Sequence, residues 1–211
     1  MDSRSLILIG CGGHCKSVIN TAESIGKPIA GILDLPTNVG QYILNYQVIG
    51  TDDCIEQLVA NHTFIVSVGF VQDVSVRMKL HEKVLNAHGI LDVLIASDAS
   101  THDSSSIGQG TVVLHRASVN AGVKVGLGCI INTAANLEHD VEVDDYSHVS
   151  TGVMINGDCK IGKRCFIGSG SVIANGVRIC DDVIIGAGSL VIHDITLPGI
   201  YVGSPVQPIN R

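Results

Sequence analysis

From Ile107 to Leu197 the chain reads, in groups of six, IGQGTV VLHRAS VNAGVK VGLGCI INTAAN LEHDVE VDDYSH VSTGVM INGDCK IGKRCF IGSGSV IANGVR ICDDVI IGAGSL VIHDIT L. The first residue of every group is Ile, Leu or Val, from Ile107, Val113 and Val119 through to Val191 and Leu197, with no insertion. Four residues after each stands a small or β-branched residue, from Thr111 and Ala117 to Ser189 and Ile195. A period of six is neither the 3.6 of an amphipathic helix nor the 2 of an alternating strand. It marks a solenoid of hexapeptide repeats, a parallel β-helix. Three hexads close one triangular coil of eighteen residues, so this stretch supplies five coils. The aliphatic residue points inward, the turn residues point out, and the next coil stacks ~4.8 Å along the axis by strand pairing.

The ladder starts abruptly, which divides the 211 residues into two domains, 1–98 and 99–211. The formal charge of −7 disfavours a nucleic-acid partner. No apolar run is long enough for a membrane span. The start, Met1-Asp2-Ser3-Arg4-Ser5, leads into an apolar run too short for a signal peptide. There are seven cysteines and no CxxC pair. Cys129, Cys159 and Cys165 fall on inward positions as small apolar fillers. Reduced thiols in a cytoplasmic protein are the expectation.

The first third has a different grammar. Ser5–Ile9, Ile29–Leu33, Phe64–Val68 and Leu91–Ile95 read as strands, and 15–25, 54–60 and 71–87 as helices. Such alternation implies a parallel α/β sheet, a small Rossmann-like unit. Gly10-Cys11-Gly12-Gly13-His14 follows a strand and opens a helix, where backbone N–H groups face a phosphate. No glycine stands at the third glycine position of a G-x-G-x-x-G pattern, and Lys16 follows it, which argues against ordinary NAD binding. Asp34, ending the second strand, is the expected acceptor for a ribose or sugar hydroxyl. The plainer alternatives are a tight glycine turn and a His14 that caps or packs locally.

Four segments together resemble a known family. They are Gly10-Cys11-Gly12-Gly13-His14-Cys15-Lys16, Leu137-Glu138-His139-Asp140, Tyr146-Ser147-His148-Val149-Ser150 and the closing Tyr201-Val202-Gly203-Ser204-Pro205. In this order they are similar to the NeuD and PglD-like sialic-acid O-acetyltransferases and bacterial sugar N-acetyltransferases, over nearly the whole chain. The resemblance implies a left-handed β-helix, a homotrimer, acetyl-CoA bound between neighbouring β-helices, and a nucleotide-linked or related sugar on the N-terminal domain. It implies His139 as general base with Asp140, where PglD-like members carry Glu, as its orienting partner. It further implies His148 as a contact for acetyl-CoA.

The chemistry agrees with that assignment. Transfer of an acyl group to an amine or hydroxyl needs a base, and histidine titrates near neutrality. A carboxylate on one ring nitrogen leaves the other for the substrate. Glu138 and Glu142 are alternative partners, and the acidic run Glu138, Asp140, Glu142, Asp144, Asp145 favours a protonated ring. His139 is equally readable as a surface histidine on a turn, and His148 as one packed in a subunit interface. His115 and His193 read as surface residues. Thr151, Ser169 and Ala187 stack in one column and His139, Gly157 and Asn175 in another. Gly157, Ser169 and Ala187 are candidates to present backbone amides to a pantetheine arm, although turns favour small residues anyway. Lys160, Lys163, Arg164 and Arg178 are the nearest cations for the CoA phosphates. A thioester mechanism requires no metal. Two other readings are a γ-carbonic-anhydrase-like zinc enzyme using His115, His139 and His148, and a non-catalytic sugar-nucleotide-binding scaffold.

Overall fold

A computed structural model describes residues 4–209; the reading of Met1–Ser3 and of Asn210–Arg211 lies outside the described residues. The chain divides between Ser97 and Asp98. In the first unit, β1 (Ser5–Ile9), β2 (Ile29–Leu33), β3 (Tyr42–Ile43), β4 (Tyr46–Gly50) and β5 (His62–Val66) form one sheet in the order β3-β4-β2-β1-β5. Central β1 is parallel to both β2 and β5, and Leu6 to Leu8 are fully buried. The helices are α1 (Gly13–Ser24), α2 (Ile55–Leu58) and α3 (Ser75–Asn86). Cys15, Val18, Ile19 and Ala22 give α1 a buried stripe at helical spacing.

Several boundaries differ from the sequence reading. Helix α1 begins earlier because Gly12, in extended conformation, serves as its N-cap. Helix α3 begins only at Ser75, whose N–H is held by the Asp73 carboxylate at 2.8 Å. The third strand starts two residues earlier, at His62. Leu91 makes a single bridge to Phe64, and Leu94–Ile95 is a short strand outside this sheet. The β3–β4 pair, antiparallel and unforeseen, makes the sheet mixed. Its strands are short and half-exposed, so no run of apolar residues announces them.

The second unit is the expected solenoid. Two-residue strands recur every six residues, and each pairs in parallel with the strand eighteen residues on, as Asn136–Leu137 does with Met154–Ile155. Three sheets result. Face one carries Ser100, Ser118, Asn136, Met154, Val172 and Leu190 outward. Face two carries Ser106, Lys124, Glu142, Lys160 and Arg178. Face three carries Val112, Ile130, His148, Phe166 and Ile184. The ladder residues Val113 to Val191 are buried throughout. Each such side chain stabilises the unit by roughly 1.5–3 kcal/mol.

From Gly110 to Gly188 every corner between faces turns on one residue in the left-handed region. These run unbroken from Gly110 to Asp182 and Gly188 in steps of six, with φ between 56° and 74°. Seven of the fourteen are not glycine: Arg116, Ala134, Asp140, Tyr146, Asp158, Arg164 and Asp182. The solenoid therefore tolerates a Cβ at this position, despite an intrinsic cost on the order of 1–2 kcal/mol.

The inward small residues do more than fill space. Thr111 Oγ1 donates to the Gly126 carbonyl (2.8 Å) and Ser147 Oγ to Gly162 (2.7 Å). The cysteine thiols repeat the pattern: Cys129 to Asp144 (3.2 Å), Cys159 to Ala174 (2.9 Å) and Cys165 to Cys180 (3.1 Å). Burial pushes the Cys165 thiol up to about 12, so it stays an S–H donor. These positions are polar pins for the corners, not the plain apolar fillers expected. No disulfide joins the cysteines.

The ladder does not reach its expected end. Leu197 is 69 % exposed. Ile195 pairs with Ile179, sixteen residues back instead of eighteen, and Gly199–Gly203 pairs with Val183–Ile185 in the same shortened register. Strand Gly199–Gly203 then turns back against Val206–Ile209 and ends the solenoid.

Candidate active site

His139 lies at the corner between face one and face two. Leu137, two residues before it, is locked into the core, and the His139 carbonyl accepts from the Asp158 N–H at 3.0 Å. The Asp140 N–H donates to the Ala121 carbonyl at 2.9 Å. With its backbone held from above and below, the pair must direct both side chains outward. His139 Nδ1 meets Asp140 Oδ2 at 3.0 Å, and the imidazole is 62 % exposed. The ring lies against Gly157 of the next coil, where a built Cβ would fall on Nε2 and Cε1. A side chain at Gly157 would therefore displace the imidazole.

The acidic run disperses around the solenoid. Glu138 accepts from Asn136 Nδ2 at 2.8 Å. Glu142 bridges Lys124 (3.3 Å) and Lys160 (3.4 Å) on face two, and the Lys124 hydrogen bond lowers its carboxyl below the ordinary value. Asp145 accepts from the Leu127 N–H (2.9 Å) and pairs with Lys163 (3.0 Å). Burial raises the Asp144 carboxyl. Of the carboxylates considered as partners for His139, Asp140 is the one bonded to it; Glu138 and Glu142 are bonded elsewhere. Alternation along the strands directs neighbouring residues to different surroundings, which separates Glu138 and Glu142 from the ring.

His148 stands in a strand of face three, between Ile130 and Phe166. It is 7 % exposed, with Nε2 3.0 Å from Asn132 Nδ2 and the Phe166 ring edge-on at 5.1 Å. Ser169 and Ala187 stack at the corner between face three and face one, so they share an edge with each other and not with Gly157. The carbonyls of Thr151 and Ser169 accept from Gly170 (2.9 Å) and Gly188 (2.8 Å) of the coil above. Coil stacking thus uses the carbonyls of this column. His115 is not a plain surface residue. Its Nδ1 meets Asp98 Oδ1 at 2.7 Å and its Nε2 is buried. His193 is exposed, as expected.

In the first unit a cleft of about 480 Å³ opens at the carboxyl ends of β1, β2 and β5. Ile9, Gly10, Leu33 and Val68 form its apolar part, with Leu35 and Val76 exposed at its margin. Open α/β sheets bind ligands at this end of their strands. Gly10 has φ 109°, and a Cβ there would strike the Val68 side chain and backbone. Gly12 and Gly13 differ: neither has positive φ, and a Cβ on either meets nothing within 4 Å. Within the loop the positive-φ position is therefore confined to Gly10. His14, in the first turn of α1, faces Gly69.

Asp34 lines the cleft, but its carboxylate already serves three donors: the N–H groups of Cys11 (2.5 Å) and Leu35 (2.7 Å) and Asn38 Nδ2 (2.7 Å). Burial works to raise its pKa, and these hydrogen bonds outweigh it, so the carboxyl titrates below its ordinary value. Its first role is to clasp the glycine loop to the loop after β2. Sequence reasoning missed three residues here. Asp52 and Lys79 line the same cleft. Arg77, 1 % exposed, donates to the carbonyls of Val66 (2.6 Å) and Val68 (3.0 Å) and so holds the cleft floor. A single arginine in a helix carries no sequence signal for that task.

Comparison with known proteins places these features. Residues 5–84 match the PglD N-terminal domain, and residues 158–193 match the bacterial transferase hexapeptide of six repeats. The acetyltransferase domain of PglB from Neisseria gonorrhoeae is 32 % identical, with a TM-score of 0.90 over 98 % of this chain and 100 % of that one. The same domain has been solved with acetyl coenzyme A, at a TM-score of 0.91. Perosamine N-acetyltransferase from Caulobacter crescentus is 28 % identical, with a TM-score of 0.92 over 98 % of this chain and 97 % of that one. That structure is a variant with one histidine replaced by asparagine, in complex with CoA and GDP-perosamine. No curated protein matches the chain by sequence.

Proposed function

The chain belongs to the NeuD/PglD-like family of hexapeptide-repeat sugar acetyltransferases, and from that premise we propose that it N-acetylates a nucleotide-linked amino sugar, with acetyl-CoA as donor and His139 as general base. The fold is that family's α/β domain followed by a left-handed parallel β-helix. One observation carries the choice of base: Nδ1 of His139 is engaged by Asp140 while the imidazole, its Nε2 edge lying against Gly157, keeps most of its surface exposed on a prism edge. With the proton on Nδ1 donated to Asp140, Nε2 accepts. The neutral amine attacks the thioester carbonyl carbon as Nε2 takes its proton. The tetrahedral intermediate collapses, the C–S bond breaks, and CoA leaves as the thiolate, which is then protonated.

The roles of the other candidates follow from their places. His139 with Gly157, His148, and Ser169 with Ala187 occupy one edge, one face and another edge of the prism. A single extended acetyl-CoA touching all of them needs two chains side by side, which supports a homotrimer with the donor bound between β-helices. Backbone N–H groups of Gly157, Ser169 and Ala187 are the proposed pantetheine contacts. The glycine loop and the cleft beside Gly10 and Asp34 are the proposed nucleotide-sugar site, with Gly12, Gly13 and His14 at the open N-terminus of α1. Among the described residues no helix is long and apolar enough to cross a membrane. S–H donors in the core suit a reducing compartment, and we place the reaction in the cytoplasm, in the synthesis of a bacterial surface glycan.

The test is CoA release with CMP-, UDP-, GDP- and dTDP-linked amino sugars and free sialic acids. One nucleotide-linked amino sugar should stand out. Turnover of free sialic acids alone would replace N- by O-acetylation, and no turnover with any acceptor would end the proposal. Gly12→Val and Gly13→Val should raise KM for the sugar and leave KM for acetyl-CoA unchanged, because their Cβ atoms enter open space. An equal rise in both would overturn the assignment of the two ligands to separate domains. The carbonic-anhydrase-like reading does not account for a PglD-type N-terminal domain, and the scaffold reading leaves the His139–Asp140 pair without a task.

A further inference from the structure

Gly122 lies one coil below Asp140, at the same corner of the solenoid, and is itself a left-handed corner residue with φ 74°. That conformation does not explain the glycine. Asp158 holds the same corner two coils on, and Arg116 and Ala134 the equivalent hexad position at another corner, with φ between 57° and 60°. Space does explain it. A Cβ built on Gly122 would collide with Oδ1 of Asp140. At the corner glycines Gly152, Gly170, Gly176 and Gly188 a built Cβ meets nothing within 4 Å. Gly122 is thus set apart from these four by a functional side chain resting on it.

We infer that Gly122 is a positioning residue for the acyl transfer: its bare Cα is the seat on which the Asp140 carboxylate rests while its other oxygen holds His139. The inference rests on the proposed role of His139. One carboxylate oxygen abuts Gly122 and the other reaches Nδ1, so the imidazole is set by two glycines. Gly122 lies under the carboxylate, and Gly157 lies against the ring. The backbone supports this arrangement. The Gly122 N–H donates to Ser104 Oγ of the coil below at 3.0 Å, so the seat is anchored. A methyl at 122 cannot be relieved by moving the main chain and must lift the carboxylate. Asp140 is exposed and free to swing, so the displaced group turns away from the ring and the fold survives.

Gly122→Ala is the direct test, with Gly152→Ala as the control for the backbone cost of a Cβ at a left-handed corner. Gly122→Ala should lower kcat by about 10- to 100-fold, the scale of an ångström misplacement. KM for acetyl-CoA, and Tm relative to Gly152→Ala, should hardly change. A merely structural role would not be sensitive to Asp140. In an Asp140→Ala background, adding Gly122→Ala should therefore cost nothing further. Wild-type kcat in Gly122→Ala would overturn the inference, as would an equal loss with and without the Asp140 carboxylate. If His139→Ala and Asp140→Ala both kept wild-type kcat, the base reading itself would fall, taking Gly122 with it. If they lost activity while Gly122→Ala kept it, only the seat would fall.

Discussion

Two corners of the solenoid carry a histidine bonded to an aspartate through Nδ1, and they differ where it matters. At the His115 corner the bond to Asp98 is the shorter, 2.7 Å against 3.0 Å for His139 and Asp140. By hydrogen-bond geometry alone His115 is the better dyad. Yet its side chain is only 24 % exposed and its Nε2 is buried, whereas His139 stands open on its edge. The aspartates also come from different places. Asp98 reaches His115 from seventeen residues away, binding one coil to the next and also accepting from the Arg116 N–H at 3.3 Å. Asp140 is the adjacent residue and binds no coil through this contact. A carboxylate–imidazole bond is therefore a structural fastener when the second nitrogen is enclosed, and the framework of a base when it is open.

The largest effect that would sharpen this contrast is on kcat. His139→Ala should lower it by about 10²- to 10⁴-fold, the usual range for a lost general base, while His115→Ala leaves it near wild type. Comparable losses in both, measured on the true acceptor, would break the distinction. Asp140→Asn comes next, with a smaller loss than His139→Ala, because it disturbs the tautomer and orientation while the base remains. His148→Ala should act on KM for acetyl-CoA more than on kcat. A kcat loss with KM intact would move His148 from donor binding to chemistry.

The smallest effect belongs to Asp98. Burial works to raise its carboxyl, and the His115 hydrogen bond and the Arg116 N–H more than offset this, so its folded pKa lies below the ordinary value. A depressed pKa contributes stability above the unfolded value of about 3.9 that is lost as pH falls through the folded value. The Tm of wild type should exceed that of Asp98→Asn at neutral pH, and the gap should close on acidification below that value. A gap that persists at low pH would assign the contact to packing instead of charge.

How much of this was legible depended on whether position in the repeat dictates environment. For the core it does: Val113 to Val191 follow from a period of six, as do the corner positions of His139 and Gly157. Leu197 misled because the two-residue shortening near Ile195 is set by the closing strand, not by the ladder's own chemistry. The cysteines misled because a thiol at an inward position looks apolar until a corner carbonyl lies beside it. The resemblance named Asp140 as the partner of His139, but the residues by themselves left Glu138 and Glu142 open, since the choice depends on which face each residue joins. In the first unit, strands and helices were visible by alternation, but Asp34's three donors, Arg77 beneath the cleft, and the β3–β4 pair come from contacts distant in sequence.

The central claim is that His139 removes the proton as the acceptor attacks acetyl-CoA. Its most direct measurement is the single-turnover rate of acetyl transfer by His139→Ala, with saturating acetyl-CoA and the preferred nucleotide-linked amino sugar. Acetyl-CoA affinity should be unchanged and the rate lower by about 10²- to 10⁴-fold. A wild-type rate in a variant that binds both substrates normally would contradict it.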